Sequence, residues 1–302
     1  MSQAEIGILG TEKGPHIREL RDTFEALGHP VVLLNPKRLT ARLPEGSISF
    51  ADSQGRQTRL EDLRGLVVRS IPGGSLEEVT YRLNTLHYLE KLGVRVLNSA
   101  AVIEKTVDKF YSTALLARAG LPVPRTVVAE SFDAAMTAVE EMGRVVVKPV
   151  FGSLGKGIVR VDDPDTAYRV FRALELGRYV YYVQEYLESG GEDFRLMVTG
   201  DRVLGAMRRR GQGCQSWKSN IACGATAEHY HPNPELADLA LRATQALGSD
   251  YAGVDILISA GKPYVLEANG IPGWTGLQTV SNFSVAGALA EFFLQRIYDD
   301  EQ

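Results

Sequence analysis

Cysteine is nearly absent from this sequence: its 302 residues include only Cys214 and Cys223. So low a count argues against a disulfide framework and for a reducing, cytoplasmic setting in which both thiols stay reduced. Histidine is also scarce, with five in all. His229 and His231 have no cysteine, aspartate or third histidine at ligand spacing, so they read as an ordinary surface or strand pair. No apolar run is long enough to span a bilayer. The start, Met1-Ser2-Gln3-Ala4-Glu5, lacks the basic region of a signal peptide. Neither sign of charge dominates. With 33 Lys+Arg against 37 Asp+Glu the net charge is −4, which disfavours a general nucleic-acid binder or a basic membrane-surface protein. Internal repeats, low-complexity segments and Ser-His-Asp or Cys-His arrangements are all missing.

What remains is an ordinary globular composition, 44% hydrophobic and 23% charged. The length allows a full core and about two domains. Residues 1–103 alternate strand-like and helical runs, which implies a mostly parallel sheet. The strands are expected at Ile6–Leu9, Val31–Leu34, Leu66–Val68 and Val94–Leu97, and the helices at Ile17–Leu27 and Leu76–Leu92. The polar stretch Arg42–Arg59 reads as a hairpin on the sheet edge. A second unit, 104–184, opens near Thr106–Lys109 with a helix through Leu116 and continues through mixed strands and helices. A third, 185–302, holds strands near Asp193–Val198 and Arg202–Arg209, a helix at Pro234–Leu247 and a last helix at Val285–Arg296. Between them lies a polar loop, residues 210–226, long enough to suggest a function. The alternation makes the first unit α/β, and the fold class expected for the chain is α/β (α+β).

The most telling stretch is a hairpin with acids among apolar residues. Val254-Asp255-Ile256-Leu257-Ile258 leads through Ser259-Ala260-Gly261-Lys262 into Pro263-Tyr264-Val265-Leu266-Glu267-Ala268-Asn269-Gly270. If the hairpin is symmetric about Gly261, Asp255 lies opposite Glu267, where like charges repel. Asn269 then shares their face. Two carboxylates and an amide oxygen make a hard-oxygen site suited to Mg²⁺; the competing reading is a solvated sheet face.

Upstream, Val145-Val146-Val147-Lys148-Pro149 precedes Gly152-Ser153-Leu154-Gly155-Lys156-Gly157. This is neither a P-loop nor a dinucleotide fingerprint. Its glycines still let backbone N–H groups approach an anion, and Lys148 at a strand end wants a negative partner. Gln184-Glu185-Tyr186-Leu187 reads as a strand edge able to meet a base, with Glu185 or Asp193 free to bind ribose hydroxyls. Arg195, Arg208 and Arg210 read as charge clamps if a phosphate lies near, and as a solvated edge otherwise. Lys218, Ser219 and Asn220 would suit an amino-acid substrate.

Taken together, Asp108-Lys109-Phe110, Val147-Lys148-Pro149 with its glycines, Gln184–Leu187, Asp193-Phe194-Arg195, Lys218-Ser219-Asn220, Ala252–Leu257 and Glu267–Gly273 resemble the ATP-grasp superfamily, and within it the RimK-like glutamate ligases. The resemblance covers roughly residues 100–300. The first third looks like a pre-ATP-grasp domain. Around Val68-Arg69-Ser70 and Tyr81-Arg82 the chain is most similar to the branch that adds glutamate to tetrahydromethanopterin-type pterins.

The resemblance implies a nucleotide held by Lys109, Lys148, Gly152, Ser153, Gly155, Lys156 and Gly157 at its phosphates. Gln184, Glu185, Tyr186 and Leu187 would meet adenine, and Asp193 the ribose. Asp255, Glu267 and Asn269 would hold two Mg²⁺ ions, with Mn²⁺ able to substitute. Arg195 and Arg210 would face the acyl phosphate, and Arg208, Lys218, Ser219 and Asn220 the substrates. The implied reaction joins a carboxylate acceptor (pterin, small molecule or protein C-terminus) to L-glutamate through an acyl phosphate, releasing ADP and phosphate. A phosphotransferase and a non-catalytic ATP-binding module are the alternatives. No nucleic-acid or membrane partner is implied, and a homo-oligomer is left open. Two features depart from the family's pattern: Arg208 stands where an acid usually precedes the paired arginines, and Gly211–Trp217 has no clear counterpart.

Overall fold

The structure is a computed structural model, and it describes residues 6–11, 14–43, 45–51, 57–152, 155–212 and 224–300. The chain opens with β1 (Ile6–Leu9), α1 (Pro15–Ala26) and β2 (Val31–Leu34). It continues through β3 (Leu39–Arg42), β4 (Ser47–Ala51), β5 (Gln57–Arg59), β6 (Gly65–Val68), α2 (Leu76–Lys91) and β7 (Arg95–Leu97). Strands β2, β1, β6 and β7 lie side by side in that order, all parallel. Every residue of β1 and β6 is buried, as expected of parallel strands covered on both faces. Helix α2 starts at a capping box: the Glu78 N–H donates to Ser75 Oγ, and the Ser75 N–H donates to the Glu78 carboxylate.

The expected edge hairpin at Arg42–Arg59 takes another form. Strands β3, β4 and β5 make their own antiparallel sheet. Because β4 is paired on both sides, it has no need of the parallel sheet's edge, and Leu39, Ile48 and Leu60 anchor the small sheet in the first unit's core.

Two helices follow, α3 (Ala100–Val107) and α4 (Lys109–Arg118), where the sequence suggested one. Asp108 divides them, because its side chain accepts the Tyr111 N–H and caps α4. Then come β8 (Thr126–Ala129), α5 (Phe132–Met142), β9 (Val145–Lys148), β10 (Val159–Val161), α6 (Pro164–Leu176) and β11 (Tyr181–Glu185). Their antiparallel sheet runs β10-β9-β11-β8, and α5 and α6 cover it through Ala135, Val139, Ala167 and Phe171.

The last part holds β12 (Glu192–Thr199), β13 (Arg202–Arg210), β14 (Thr226–His229), α7 (Pro234–Leu247), β15 (Tyr251–Ser259), β16 (Lys262–Asn269), α8 (Thr275–Val280) and α9 (Val285–Asp300). The sheet order is β14-β13-β12-β15-β16. Strand alternation gives this sheet two different faces. Phe194, Leu196, Val198, Ala206, Val254, Ile256 and Ala268 pack under α7. On the other face, Met197, Met207 and Tyr251 join Trp274, α1 and α9 in a shared core with β1. Further along that second face, polar groups replace the apolar ones.

Candidate active site

The acids of the β15–β16 hairpin do face each other, but by a different route from simple symmetry. Ser259 pairs with Lys262 across a two-residue turn, and both turn residues have positive φ, 48° at Ala260 and 76° at Gly261. Such a turn suits the twist of a hairpin. Carried unchanged, that register would set Asp255 opposite Leu266. A bulge intervenes between Asp255 and Ile256, so Ile256 pairs with Val265 while Asp255 pairs with Glu267. Bulges re-aim side chains in this way. Leu266 is left over and lines the cleft described below. Asn269 lies beside Glu267 and donates from Nδ2 to Glu267 Oε1 at 3.0 Å.

Register also places cations on this face. Arg195 pairs with Asp255, and Asp193 pairs with Arg209. Arg195 donates to Asp255 through Nε and Nη2, both at 2.6 Å. Arg209 donates to Asp193 at 2.6 and 2.7 Å and reaches Asp255 Oδ2 at 3.0 Å. Asp193, Arg209 and Asp255 are all buried. Burial works against the charge on Asp255, yet Arg195 and Arg209 outweigh it and hold the carboxyl down at about 2.

Across the cleft, Lys148 ends β9 and donates to Gln184 Oε1 at 2.6 Å. The Gln184 amide is fixed in turn, since its Nε2 donates to Thr126 Oγ1 and Tyr182 Oη. Burial lowers Lys148 to about 8, with Lys109 adding to the shift while Glu267 and Asp255 oppose it. Lys109 is the first residue of α4, and its Nζ donates to Gly152 O at 2.6 Å. Burial lowers its pKa as well. Its N–H donates to Val150 O, and Asp108 bridges Phe151, so the start of α4 is joined to the glycine loop. Gly155 and Gly157 take positive φ, 70° and 74°, which only glycine adopts without strain.

One cleft between the β10-β9-β11-β8 sheet and the β14-β13-β12-β15-β16 sheet gathers these groups. Its lining includes Lys109, Lys148, Gly152, Gly155 and Lys156 on one side and Asp193, Asp255 and Glu267 on the other. Gln184, Glu185, Tyr186 and Leu187 border it, with Val146, Ile158, Leu257 and Leu266 as apolar walls. An apolar slot with an anion-attracting end is the shape a nucleotide requires.

Comparisons with known proteins agree on what this arrangement is. Residues 106–293 match the model of the RimK-like ATP-grasp domain. A tetrahydromethanopterin:alpha-L-glutamate ligase of Methanosarcina acetivorans is 33% identical over 296 residues, covering 87% of this chain and 91% of the relative. The corresponding enzyme of Methanococcus maripaludis is 32% identical, covering 95% and 96%. The chain belongs to the RimK-like ATP-grasp family. The RimK domain ATP-grasp protein of Sphaerobacter thermophilus superposes with a TM-score of 0.73 at 26% identity, covering 96% of this chain and 99% of that one. The ATP-grasp ligase PsnB, solved with Mg and ADP, shares the fold with a TM-score of 0.75 at 22% identity, covering 98% and 99%.

Within this RimK-like chain, the arginines are placed differently from the sequence expectation. Arg208 and Arg210 do share a face of β13, but it is the face turned away from Asp255. Arg208 pairs with Glu228, and Arg210 with Glu192 at 2.6 Å. Arg210, expected from the sequence to face the acyl phosphate, is held here by Glu192 on the face away from Asp255. Arg209, which the sequence reading passed over, takes the cleft side. Alternation from Asp193 and Arg195 would have found it once their strand was paired with β13. The apolar walls were missed too, because Val146, Ile158, Leu257 and Leu266 look like any core residues in sequence. Glu185 is already engaged: its Oε1 accepts the Arg125 N–H at 2.8 Å. The Arg144 and Arg160 guanidiniums each lie over the Tyr186 ring, at 5.4 and 5.3 Å. Gly157 adjoins the glycine loop without lining the cleft. Ser153, Lys218, Ser219 and Asn220 lie outside the described residues, as do Cys214 and Cys223.

The residues present fit a magnesium ion. Glu267 Oε2 and Asn269 Oδ1 have no hydrogen-bond partner among the described residues; Glu267 lines the lysine-bearing cleft, and Asn269 is bonded to it. Asp255 Oδ1 accepts one hydrogen bond and retains a lone pair. All three donors are hard oxygens, with phosphates and water left to complete an octahedron.

Proposed function

We propose that this chain is an ATP- and Mg²⁺-dependent ligase that joins the amine of L-glutamate to a carboxylate acceptor. One observation carries the reading: a single cleft holds two lysines and a glycine loop facing Asp255 and Glu267, with arginines fixed beside the acids. The relatives named as glutamate ligases support the choice of amino acid. The proposed division of labour has a pre-ATP-grasp unit at 1–103, a glycine-loop unit at 104–184 and an acid-bearing unit at 185–302.

In this proposal the adenine lies along Val146, Ile158, Leu257 and Leu266, next to Gln184–Leu187. Asp193, which lines the cleft, meets the ribose. Lys109 exchanges Gly152 O for a phosphate oxygen, and Lys148 neutralises phosphate charge from its perch on Gln184. Bound Mg²⁺, two ions or Mn²⁺ in their place, would be held by Asp255, Glu267 and Asn269 and would offset the charge of the terminal phosphates. An acceptor carboxylate oxygen attacks the γ-phosphorus and ADP leaves. The glutamate amine then attacks the acyl carbon, loses a proton, and phosphate departs with the bridging oxygen. Arg195 and Arg209 stand where negative charge accumulates. No protein nucleophile is needed; positioning and charge neutralisation supply the catalysis.

The test is ADP release from purified protein supplied with ATP, Mg²⁺, L-glutamate and a panel of carboxylates that includes pterin and peptide acceptors. ADP should form only when both amine and carboxylate are present. A phosphorylated product that survives hydroxylamine would instead mark a phosphotransferase, and ATP binding without turnover across the panel a binding module.

A further inference from the structure

Asn98 follows β7 in the N-terminal parallel-sheet unit and is completely buried. A side-chain amide offers two N–H donors and an oxygen with two lone pairs. All four are used here. Nδ2 donates to Tyr251 O at 2.8 Å and Gly270 O at 2.6 Å. Oδ1 accepts from Asp250 N at 2.8 Å and Tyr251 N at 3.2 Å. None of these partners belongs to the unit that carries Asn98.

The location gives the bonds their meaning. The last ladder pair between β15 and β16 is Gly253 with Asn269. Beyond it β16 ends, and Tyr251 has no residue of that strand opposite it. In an antiparallel ladder alternate residue pairs exchange both N–H and C=O bonds. Asn98 accepts the Tyr251 N–H and donates to the Tyr251 carbonyl, so its side chain replaces the missing strand residue. Its second N–H reaches Gly270, directly after Asn269. One side chain thus bridges the start of the strand bearing Asp255 and the end of the strand bearing Glu267 and Asn269. The space around this bridge is tight, since a Cβ on Gly253 would come within 2.8 Å of Pro272 Cβ. Arg69, from the same unit as Asn98, adds bonds to Tyr251 Oη at 2.7 Å and Pro272 O at 2.8 Å.

We propose that Asn98 is a positioning residue for the Asp255, Glu267 and Asn269 oxygens: it acts as a surrogate strand that fixes the separation of β15 and β16 at their active-site end. The N-terminal unit is then a working part of the nucleotide site, although none of its described residues lines the cleft. The inference rests on the reading of those three residues as a Mg²⁺ site. A buried apolar side chain could fill the same volume, but it could not hold the Tyr251 and Gly270 carbonyls.

The experiment measures binding of the non-hydrolysable analogue AMPPNP by calorimetry, with Mg²⁺ and in EDTA, for wild type, Asn98→Ala and Arg95→Ala. Arg95 joins the same junction through the Asp250 side chain at 3.3 Å and controls for general loosening. Groups that orient metal ligands typically change metal affinity about 10- to 100-fold when removed. Asn98→Ala should therefore weaken AMPPNP binding by about tenfold or more in Mg²⁺ and leave the EDTA value unchanged. Arg95→Ala should leave both values unchanged even where its melting temperature falls. An N98A protein with the full Mg²⁺ effect, equal weakening with and without Mg²⁺, or the same loss in R95A would overturn the proposal. If N98A does not fold, Asn98→Asp carries the test, because it keeps the acceptor bonds and loses both donors. A wild-type affinity indifferent to Mg²⁺ would overturn the metal reading itself, and the inference with it.

Discussion

Arg209 and Asp193 lie opposite each other on β13 and β12 and share two buried hydrogen bonds of 2.6 and 2.7 Å. The same guanidinium reaches Asp255, so it ties a cleft residue of β12 to the candidate metal ligand of β15. Burial disfavours the charge on Arg209, but the two carboxylates outweigh it and raise its pKa. Removing one member of such a buried group costs about 3–5 kcal/mol, because the partners are left charged and uncompensated. Arg209→Met should therefore lose about that much stability in urea denaturation at pH 7. The deficit should depend on pH. Asp255 is held below its usual 3.8, so its stabilising contribution is complete above that value and is lost as pH falls toward 2. The gap between wild type and R209M should narrow over that acidic window; a gap that stays constant would argue against the ion network as its source.

How much of this was legible in the sequence depended on how local the signal was. The parallel strands, the glycine loop and the opposed acids follow from patterns within one stretch of chain. Even so, the opposition of Asp255 and Glu267 was right for an incomplete reason: the turn is centred between Ala260 and Gly261, and the Leu266 bulge restores the pairing. Whether an arginine run faces the cleft depends on its register with β12, a long-range fact. Alternation within the strand sets Arg208 and Arg210 against Arg209 but does not say which side meets the cleft. The split at Asp108 was hidden because helix-compatible residues flank it on both sides. The bridge made by Asn98 was hidden because its partners lie far along the chain, at Asp250, Tyr251 and Gly270.

The opposed acids should respond differently to neutralisation. Asp255 is the anchor of two arginines, so Asp255→Asn should cost about 3–5 kcal/mol. Glu267 sits opposite it with a weaker tie, 4.0 Å from Arg195, and repels its neighbour. Glu267→Gln should leave stability unchanged or raise it by about 0.2–1 kcal/mol. Both variants should lose Mg²⁺-dependent nucleotide binding. Thermal melts paired with calorimetry check this, and a Glu267→Gln protein with wild-type Mg²⁺ dependence would remove that residue from the site.

Arg210 and Arg209 offer a direct comparison of the two faces of β13. Arg210 is exposed and paired with Glu192, and surface pairs of this kind contribute about 0–1 kcal/mol. Arg210→Ala should keep kcat within about threefold of wild type, since that stability change does not touch the cleft. Arg209→Lys keeps a charge but cannot bind Asp193 and Asp255 in fork geometry. Its kcat should fall by a factor of about 10², as expected when the carboxylates it holds are misplaced by about 1 Å. Steady-state ADP release decides the matter, and equal losses in the two variants would mean that the loop beyond Arg210 brings it to the substrates.

Lys148 should set the alkaline limit of ATP capture. Burial lowers it to about 8, so the free protein holds a charged ammonium below that pH and loses it above. Only the charged form attracts phosphate, and kcat/KM reports groups in the free enzyme. The value of kcat/KM for ATP should therefore be flat below pH 8 and fall with increasing pH beyond it. Once ATP is bound, its negative charge favours the ammonium, so the same limb should move upward in the profile of kcat. Lys148→Arg keeps its charge at every accessible pH. That variant should bind less well at neutral pH, because its fork does not match the single Gln184 oxygen, yet its profile should show no alkaline limb. A limb that persists in K148R would belong to another group, with Lys109, whose pKa burial also lowers, the first to examine.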